Sequence, residues 1–286
     1  MPSLIDIRRR IRSVKNTQQI TKAMKMVSAA KLRRAQERAL ASRPYAEMMG
    51  RLLSNVAAAA AANEDAAQLP LLQVREERRI QLIVVSSDRG LAGPFNANLF
   101  RRVQRFIDER AGAQLSVETI GRKSRDYFRK RGFNVTGDHI GIVERPTIEQ
   151  AREIADKMID LYSKAEIDAV YLGVNEFKSV MAPDIVVRKI LPVEVPESTG
   201  QLVDYIYEQP PQELLGELLP RYVEMSVYRA MLESNSAEQA ARMTAMDTAS
   251  SNAGEVIERL TLNMNRVRQA AITREIIEIV SGAAAI

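Results

Sequence analysis

The stretch best suited to chemistry is a glycine-containing turn, Asp88–Gly93, which follows an apolar run and precedes an amphipathic one. Glycines in a strand-to-helix turn let backbone amides approach a phosphate at a helix N-terminus. Gly90 and Gly93 match neither G-x-G-x-x-G nor the P-loop pattern, however, and Pro94 removes one amide donor. Two interpretations stay open, a phosphate site and a structural turn or docking loop, and the pattern favours the second.

Other residue types that carry enzyme chemistry are few. Cysteine is absent and there is one histidine, His139, which argues against thiolate sites, disulfides, His-based metal clusters and serine–histidine hydrolases. We expect His139 to be a surface or capping residue. Glu275 and Glu278 are spaced like a carboxylate dyad, but the sequence supplies no pocket or metal partner for them. We therefore predict no catalytic residue, no cofactor and no metal.

Two long helical segments at the ends of the chain dominate its organisation. Residues 3–43 and 221–286 are rich in good helix formers, and neither has an interior proline. In each, apolar residues repeat at spacings of three and four with one phase slip, which is typical of a narrow coiled-coil seam. The first segment has Leu4, Ile7, Ile11 and Val14, then Ile20, Met24 and Val27; the second has Ile257, Leu260, Met264 and Val267, then Ile272, Ile276, Ile279, Ala283 and Ile286.

The two segments differ in length. At 1.5 Å per residue the first helix is roughly 60 Å long and the second roughly 95 Å. If they pair antiparallel from a base near Pro44 and Pro220, the second overhangs the first by roughly 35 Å. The overhang ends in the apolar, small-residue stretch 279–286. We therefore expect a partner outside this chain to hold that tip.

Between the helical segments, β-branched apolar runs alternate with amphipathic stretches. This alternation predicts a compact, doubly wound α/β unit over roughly residues 75–208. The predicted strands are 79–86, 115–120, 134–136, 168–177 and 185–195, and the predicted helices follow Asn96 and span 122–131 and 148–165.

Positive charge is concentrated in the first helical segment. Residues 1–60 hold thirteen Lys or Arg against three acidic residues, whereas residues 212–286 hold seven basic and ten acidic ones. A basic rod of this kind could meet nucleic acid, an anionic membrane surface or an acidic protein, or could simply carry a solvated face. No apolar run is long enough to span a membrane, and arginines occupy the place of a signal-peptide core, so we expect a cytoplasmic location.

Four runs of residues carry a family resemblance. The runs 20–36 (ITKAMKMVSAAKLRRAQ) and 87–96 (SDRGLAGPFN), with 237–246 and 268–286 near the C-terminus, are similar to the γ subunits of bacterial F-type ATP synthases, in order along the whole chain. The resemblance implies an α/β fold in which a long antiparallel coiled coil of the N- and C-terminal helices carries an inserted Rossmann-like domain. The implied domains are 1–62, 75–208 and 212–286.

The resemblance also implies a function and partners. The chain would be the non-catalytic central rotor shaft that couples ion-driven rotation of the membrane c ring to ATP synthesis or hydrolysis in a hexamer of α and β subunits. One copy per complex would lie, with the ε subunit, peripherally on the cytoplasmic face of the inner membrane and would meet the membrane only through the c ring. The positions that match contacts with α and β are Met24, Lys25, Arg242, Arg268, Gln269, Thr273, Glu275 and Ile286. Those that match contacts with the c ring and ε are Asp204, Tyr205, Tyr207 and Glu208.

Two other functions stay open on the residues alone. A basic coiled-coil nucleic-acid-binding protein would explain the first helix, but no aromatic residues are interleaved with the basic ones, and the second helix is acidic. A nucleotide-dependent enzyme would have to use the Gly90/Gly93 turn.

Overall fold

A very long helix lies at each end of the chain. The computed structural model describes residues 3–60, 69–177, 184–194 and 209–283, but not the side chain of Glu278 or the surroundings of Gly282. Helix α1 spans Leu4–Ala60 and helix α5 spans Pro211–Ala283. Each continues through a proline, Pro44 in α1 and Pro220 in α5. An interior proline costs about 3 kcal/mol, and burial of the helix beyond it offsets that cost. The residues buried beyond the prolines include Leu53, Val56 and Ala60 in α1 and Val223, Val227 and Met231 in α5.

A five-stranded sheet lies between these helices in sequence, as the alternating pattern predicts. The strands are β1 (Arg79–Val85), β2 (Gln114–Ile120), β3 (Asn134–His139), β4 (Ala169–Glu176) and β5 (Asp184–Leu191). Their order is β3-β2-β1-β4-β5, with every neighbouring pair parallel except β4 and β5. The α/β fold class is confirmed. The fifth strand ends four residues before the predicted boundary, and the third continues three residues beyond it.

Shorter helices connect the parallel strands: α2 (Phe95–Asp108), α3 (Arg122–Lys130) and α4 (Ile148–Ser163). Helix α4 begins with a capping box, in which Thr147 and Gln150 each bond the backbone N–H of the other. Helices α2 and α3 cover one face of the sheet with aromatic side chains such as Phe106 and Phe128. Helix α4 covers the other face, together with residues 49–60 of α1 and 215–231 of α5. The inner strands β1 and β4 are therefore buried on both faces.

The chain divides into two compact units. Residues 1–29 and 242–286 form the helix-pair unit, and residues 30–241 form the sheet unit. Helices α1 and α5 each run through both units. The domain boundaries drawn from the sequence stay a prediction. In the described ranges, no helix has both the length and the apolar character needed to cross a bilayer.

Candidate interaction surface on the helix-pair unit

In the helix-pair unit, one continuous row of side chains along α1 is buried or partly buried. Buried or partly buried positions fall at residues 7, 11, 14, 18, 21, 25 and 28, an unbroken alternation of four and three, and Met24 beside this row is also partly buried. The predicted phase slip is therefore wrong for Ile20 and Val27, whereas Met24 is turned from solvent as predicted. Ile20 is 59% exposed and Val27 is 57% exposed, because the heptad phase set by Ile7 continues through polar residues instead.

Polar bonds replace apolar packing in this part of the seam. The Gln18 side-chain amide donates to the Ser250 carbonyl oxygen at 3.1 Å, and the Lys25 ammonium lies 2.7 Å from an Asp247 carboxylate oxygen. Gly254 allows a close approach, since a Cβ there would lie 3.2 Å from the Gln18 amide nitrogen. Residue numbers rise along α1 as they fall along α5, so the helices are antiparallel, as predicted.

The first predicted apolar run of α5 faces this seam. Met246, Ser250 and Ala253 are buried, and the row continues through partly buried residues with the same three–four spacing. These residues are Ile257, Leu260, Met264 and Val267. The second predicted run does not continue the row. Ile272 is 48% exposed and Ile279 is 71% exposed.

The exposed second run lies where α5 extends beyond α1. Continuing the register of the Lys25–Asp247 pair places Leu4, the first residue of α1, near Arg268. Helix α5 runs on to Ala283, a described overhang of roughly 20 Å. This is shorter than the 35 Å expected from sequence, because that value took the base of the pair at the two prolines. The exposed apolar residues of the overhang are Ile272, Ile276, Ile277, Ile279 and Val280.

A second exposed apolar face lies on α1. Ile20, Met26 and Val27 are 57–76% exposed and lie on the side of the helix that does not meet α5. Sequence reasoning noticed the spacing of Ile20 and Val27 but assigned it to the seam. The basic residues near the start of α1 are also exposed; they are Arg8, Arg9, Arg10, Arg12, Lys15 and Lys22.

The predicted α and β contact residues fall into two groups about 30 Å apart along α5. Met24, Lys25 and Arg242 are partly buried, and Lys25 is paired with Asp247. Arg268, Gln269, Thr273 and Glu275 are exposed at the start of the overhang, where the Thr273 hydroxyl donates to the Gln269 carbonyl oxygen at 2.9 Å. Ile286 lies outside the described residues, as do Asp204, Tyr205, Tyr207 and Glu208.

The Asp88 side chain ties the glycine turn of the sheet unit to two neighbouring segments. One Asp88 carboxylate oxygen accepts the Arg122 N–H at the start of α3 (3.0 Å), and the other accepts the Gly141 N–H (3.0 Å). The Ser124 N–H of the same helix donates to the Ser86 hydroxyl at 2.8 Å. Asp88 and Ser86 thus hold the turn against the start of α3 and the loop at Gly141, which favours the interpretation as a structural turn.

A buried ionic cluster, which no sequence pattern indicated, lies between β2, β3 and α4. The Glu118 carboxylate is fully buried and contacts a His139 ring nitrogen (2.8 Å), the Lys157 ammonium (2.7 Å) and the Thr136 hydroxyl (2.7 Å). Burial by itself raises the pKa of Glu118, but hydrogen bonds from His139, Lys157 and Thr136 outweigh it and lower that pKa to about 2. His139 is thus a member of this cluster rather than the surface or capping residue expected from sequence.

Every contact of the Glu118 cluster is made inside the sheet unit, around a carboxylate without solvent access. Over the described ranges, no three His, Asp or Glu side chains are placed to hold a metal ion. The arrangement best suits a protein that binds other chains along two helices.

Known proteins match the chain along its whole length. The family model described as ATP synthase matches residues 3–286. The ATP synthase gamma chain of Solibacter usitatus is 60% identical over 285 residues, covering 100% of this chain and 99% of that protein. The ATP synthase gamma chain of Pelotomaculum thermopropionicum is 50% identical over 288 residues, with both chains fully covered.

Solved structures give the same assignment. A chain of the Tetrahymena thermophila mitochondrial ATP synthase, from a structure of the central stalk and c ring, has a TM-score of 0.61 at 26% identity, covering 81% of this chain and 99% of that one. A chain of the Euglena gracilis mitochondrial ATP synthase, from a structure with OSCP, F1 and the c ring, shares the fold with a TM-score of 0.69 at 15% identity, covering 99% and 94%. With the paired helices, the inserted sheet and these full-length matches together, the chain belongs to the ATP synthase gamma chain family.

Proposed function

We propose that this protein is the central rotor shaft of an F-type ATP synthase, which couples ion-driven rotation of a membrane c ring to ATP synthesis or hydrolysis at sites on α and β subunits. The observation that carries the proposal is the exposed apolar overhang of α5, where Ile272, Ile276 and Ile279 are 48–71% exposed. Apolar residues repeated along one helix beyond its partner need another surface to cover them. A ring of surrounding subunits would provide that surface.

The two groups of predicted contact residues support contact at two heights on the shaft. Arg268, Gln269, Thr273 and Glu275 would meet α and β near the tip, and Ile286 would lie at its end. Met24, Lys25 and Arg242 would meet them lower down, where exposed Ile20 and Val27 add an apolar face. Since Lys25 is already 2.7 Å from Asp247, its contact would be shared between this chain and a partner.

The energy involved argues for contacts spread along the helices. Each ion that crosses the membrane supplies about 2.3 kcal/mol per 100 mV, so several ions per ATP load the shaft with on the order of 10 kcal/mol. A single exposed ion pair contributes at most about 1 kcal/mol. A shaft whose faces differ around its axis would meet the catalytic subunits unequally, so each rotation step would favour a different state at each nucleotide site.

The remaining assignments are part of the same proposal. Asp204, Tyr205, Tyr207 and Glu208 would contact the c ring and the ε subunit, and the chain would lie peripherally on the cytoplasmic face of the inner membrane, with one copy per complex. It would contribute no catalytic residue. The nucleic-acid alternative loses its support, because the full-length family matches account for the basic helix without it.

Co-expression with α, β and ε subunits tests the proposal. The chain should co-purify with them, and the complex should hydrolyse ATP, whereas the chain alone should not. In the complete synthase, assembled with its membrane c ring, Ile276→Asp combined with Ile279→Asp should keep the assembly but lower the number of ions pumped per ATP, because charge at the tip disfavours an apolar bearing. Glu258→Gln, an exposed change below the overhang, is the matched control. ATP hydrolysis by the isolated chain, or unchanged pumping by the double variant, would contradict the proposal.

A further inference from the structure

The crevice at the carboxyl ends of β1 and β4 is filled by the protein itself. In doubly wound sheets, ligands bind in the crevice where strand order reverses, which here lies between β1 and β4. Helix α5 occupies this place. The Ser234 hydroxyl lies 3.5 Å from the Val85 carbonyl oxygen, and Ala237 packs against Ala92 and Phe95.

At this point α5 is buried around its whole circumference. Residues 230–240 are all buried, a stretch of about three turns, whereas the rest of the helix leaves exposed or partly exposed residues in each turn. The stretch is largely polar, which on sequence alone is typical of a solvent-facing helix. Its buried polar residues are Glu233, Ser234, Asn235, Ser236, Glu238 and Gln239. We call residues 230–240 and the sheet-unit surfaces around them the socket.

One loop of the sheet unit contacts both long helices at the socket. The Asn235 side-chain amide donates to the Glu144 carbonyl oxygen at 2.9 Å, and the Lys31 ammonium of α1 bonds the Glu144 carboxylate. The same loop is bonded to the glycine turn through Gly141 and Asp88 at 3.0 Å. Turn, loop, α1 and α5 are therefore linked by directional bonds within the sheet unit.

Directional polar bonds do something that apolar packing does not. Apolar packing resists rotation of a helix only through the fit of its side chains, since each dispersion contact is itself weak and non-directional. A buried amide such as that of Asn235 loses its hydrogen bond if the helix rotates, and an unpaired buried group is costly. The socket thus fixes the rotational position of α5 relative to the sheet.

We propose that the socket transmits torque between the sheet unit and α5. Helix α5 continues without a break from the socket into the helix-pair unit. The inference rests on the proposed rotor function. In this proposal, the crevice that usually binds a ligand in this fold holds α5 instead. Asn235 and Glu144 are positioning residues that act through α5.

The test uses the assembled complex carrying Asn235→Ala, with Thr248→Ala as control, because the Thr248 hydroxyl bonds only its own helix. Amide hydrogen exchange over residues 230–240 should become about tenfold faster in Asn235→Ala, equivalent to about 1.4 kcal/mol, and stay unchanged in the control. In the complete synthase with its membrane c ring, ATP hydrolysis should persist while the number of ions pumped per ATP falls. Lys31→Ala, which loosens the same loop from α1, should produce a smaller loss in the same direction.

If amide hydrogen exchange over residues 230–240 is unchanged in Asn235→Ala, the Asn235 hydrogen bond does not hold α5 in the socket. If amide exchange over residues 230–240 becomes faster while the number of ions pumped per ATP is unchanged, the contacts between the socket and α5 transmit no torque. Either result overturns the inference. Failure of the parent chain to assemble or to couple would instead refute the rotor function itself, so the two failures are distinguishable.

Discussion

Replacing Glu118 with glutamine tests whether the buried ionic cluster stabilises the sheet unit. The pKa of Glu118 is lowered from an ordinary value of 4.5 to about 2, since bonds from His139, Lys157 and Thr136 overcome the effect of burial. At 1.36 kcal/mol per pKa unit, the ionised carboxylate contributes about 3 kcal/mol to the free energy of unfolding at neutral pH. Because the folded-state pKa is lowered, this contribution is fully present above pH 4.5 and is lost as the pH falls towards 2.

Urea unfolding of the full-length chain, followed by far-UV circular dichroism between pH 7 and pH 3, measures this contribution. Glu118→Gln should lose about 3 kcal/mol at pH 7, and its difference from the parent should stay constant down to about pH 4.5 and shrink below that pH. Glu37→Gln, which removes an exposed pair with Arg33, should change stability by less than about 1 kcal/mol at any pH. If the loss in free energy of unfolding caused by Glu118→Gln stays constant from pH 7 to pH 3, the reasoning is refuted. A constant loss would mean that the ionisation of Glu118 does not contribute to stability.

Three further changes in the sheet unit test its packing by urea unfolding. Gly121→Ala should cost more than about 2 kcal/mol, since φ is +96° and the added Cβ would lie 2.3 Å from the Ser86 carbonyl oxygen, whereas Gly112→Ala, which meets nothing within 4 Å, should be nearly neutral. Asp88→Ala should cost about 1–3 kcal/mol by freeing two backbone amides, and equal stability would argue against its role in the turn. Asn175→Val should be neutral or stabilising by about 1 kcal/mol, because neither polar atom of this buried side chain has a hydrogen-bond partner among the described residues; a large loss would contradict this.

Much of the secondary structure was predictable because it depends on local patterns. Apolar runs such as that of β1 indicate a strand buried on both faces, and Pro94 and the glycines mark the turn that follows it. The exposure of the α5 tip was also predictable, since the described part of α1 is too short to cover it. Local patterns predicted the wrong residues for part of the α1 seam. Ile20 and Val27 carry the apolar spacing, but Gln18 and Lys25 face the partner helix.

The candidate contact residues came from the family resemblance rather than from pattern. Arg268 and Glu275 are ordinary exposed charges in a helix, and nothing in their spacing singles them out. Their grouping at the start of the overhang depends on the register of α1 against α5, which the Lys25–Asp247 pair sets. The apolar face that includes Met26 needed the same information, because a residue counts as exposed only once the partner helix is placed.

By itself the sequence determined two long helices, an inserted α/β unit and membership of a family, because helix propensity, strand periodicity and extended motifs are properties of neighbouring residues. Only the tertiary structure decided which side of α1 faces α5, that Glu118 lies in an ionic cluster with His139, and that the polar stretch 230–240 is buried. Those features depend on groups that lie far apart in the chain. A polar side chain can be buried only if folding brings it partners, and no local pattern records where those partners come from.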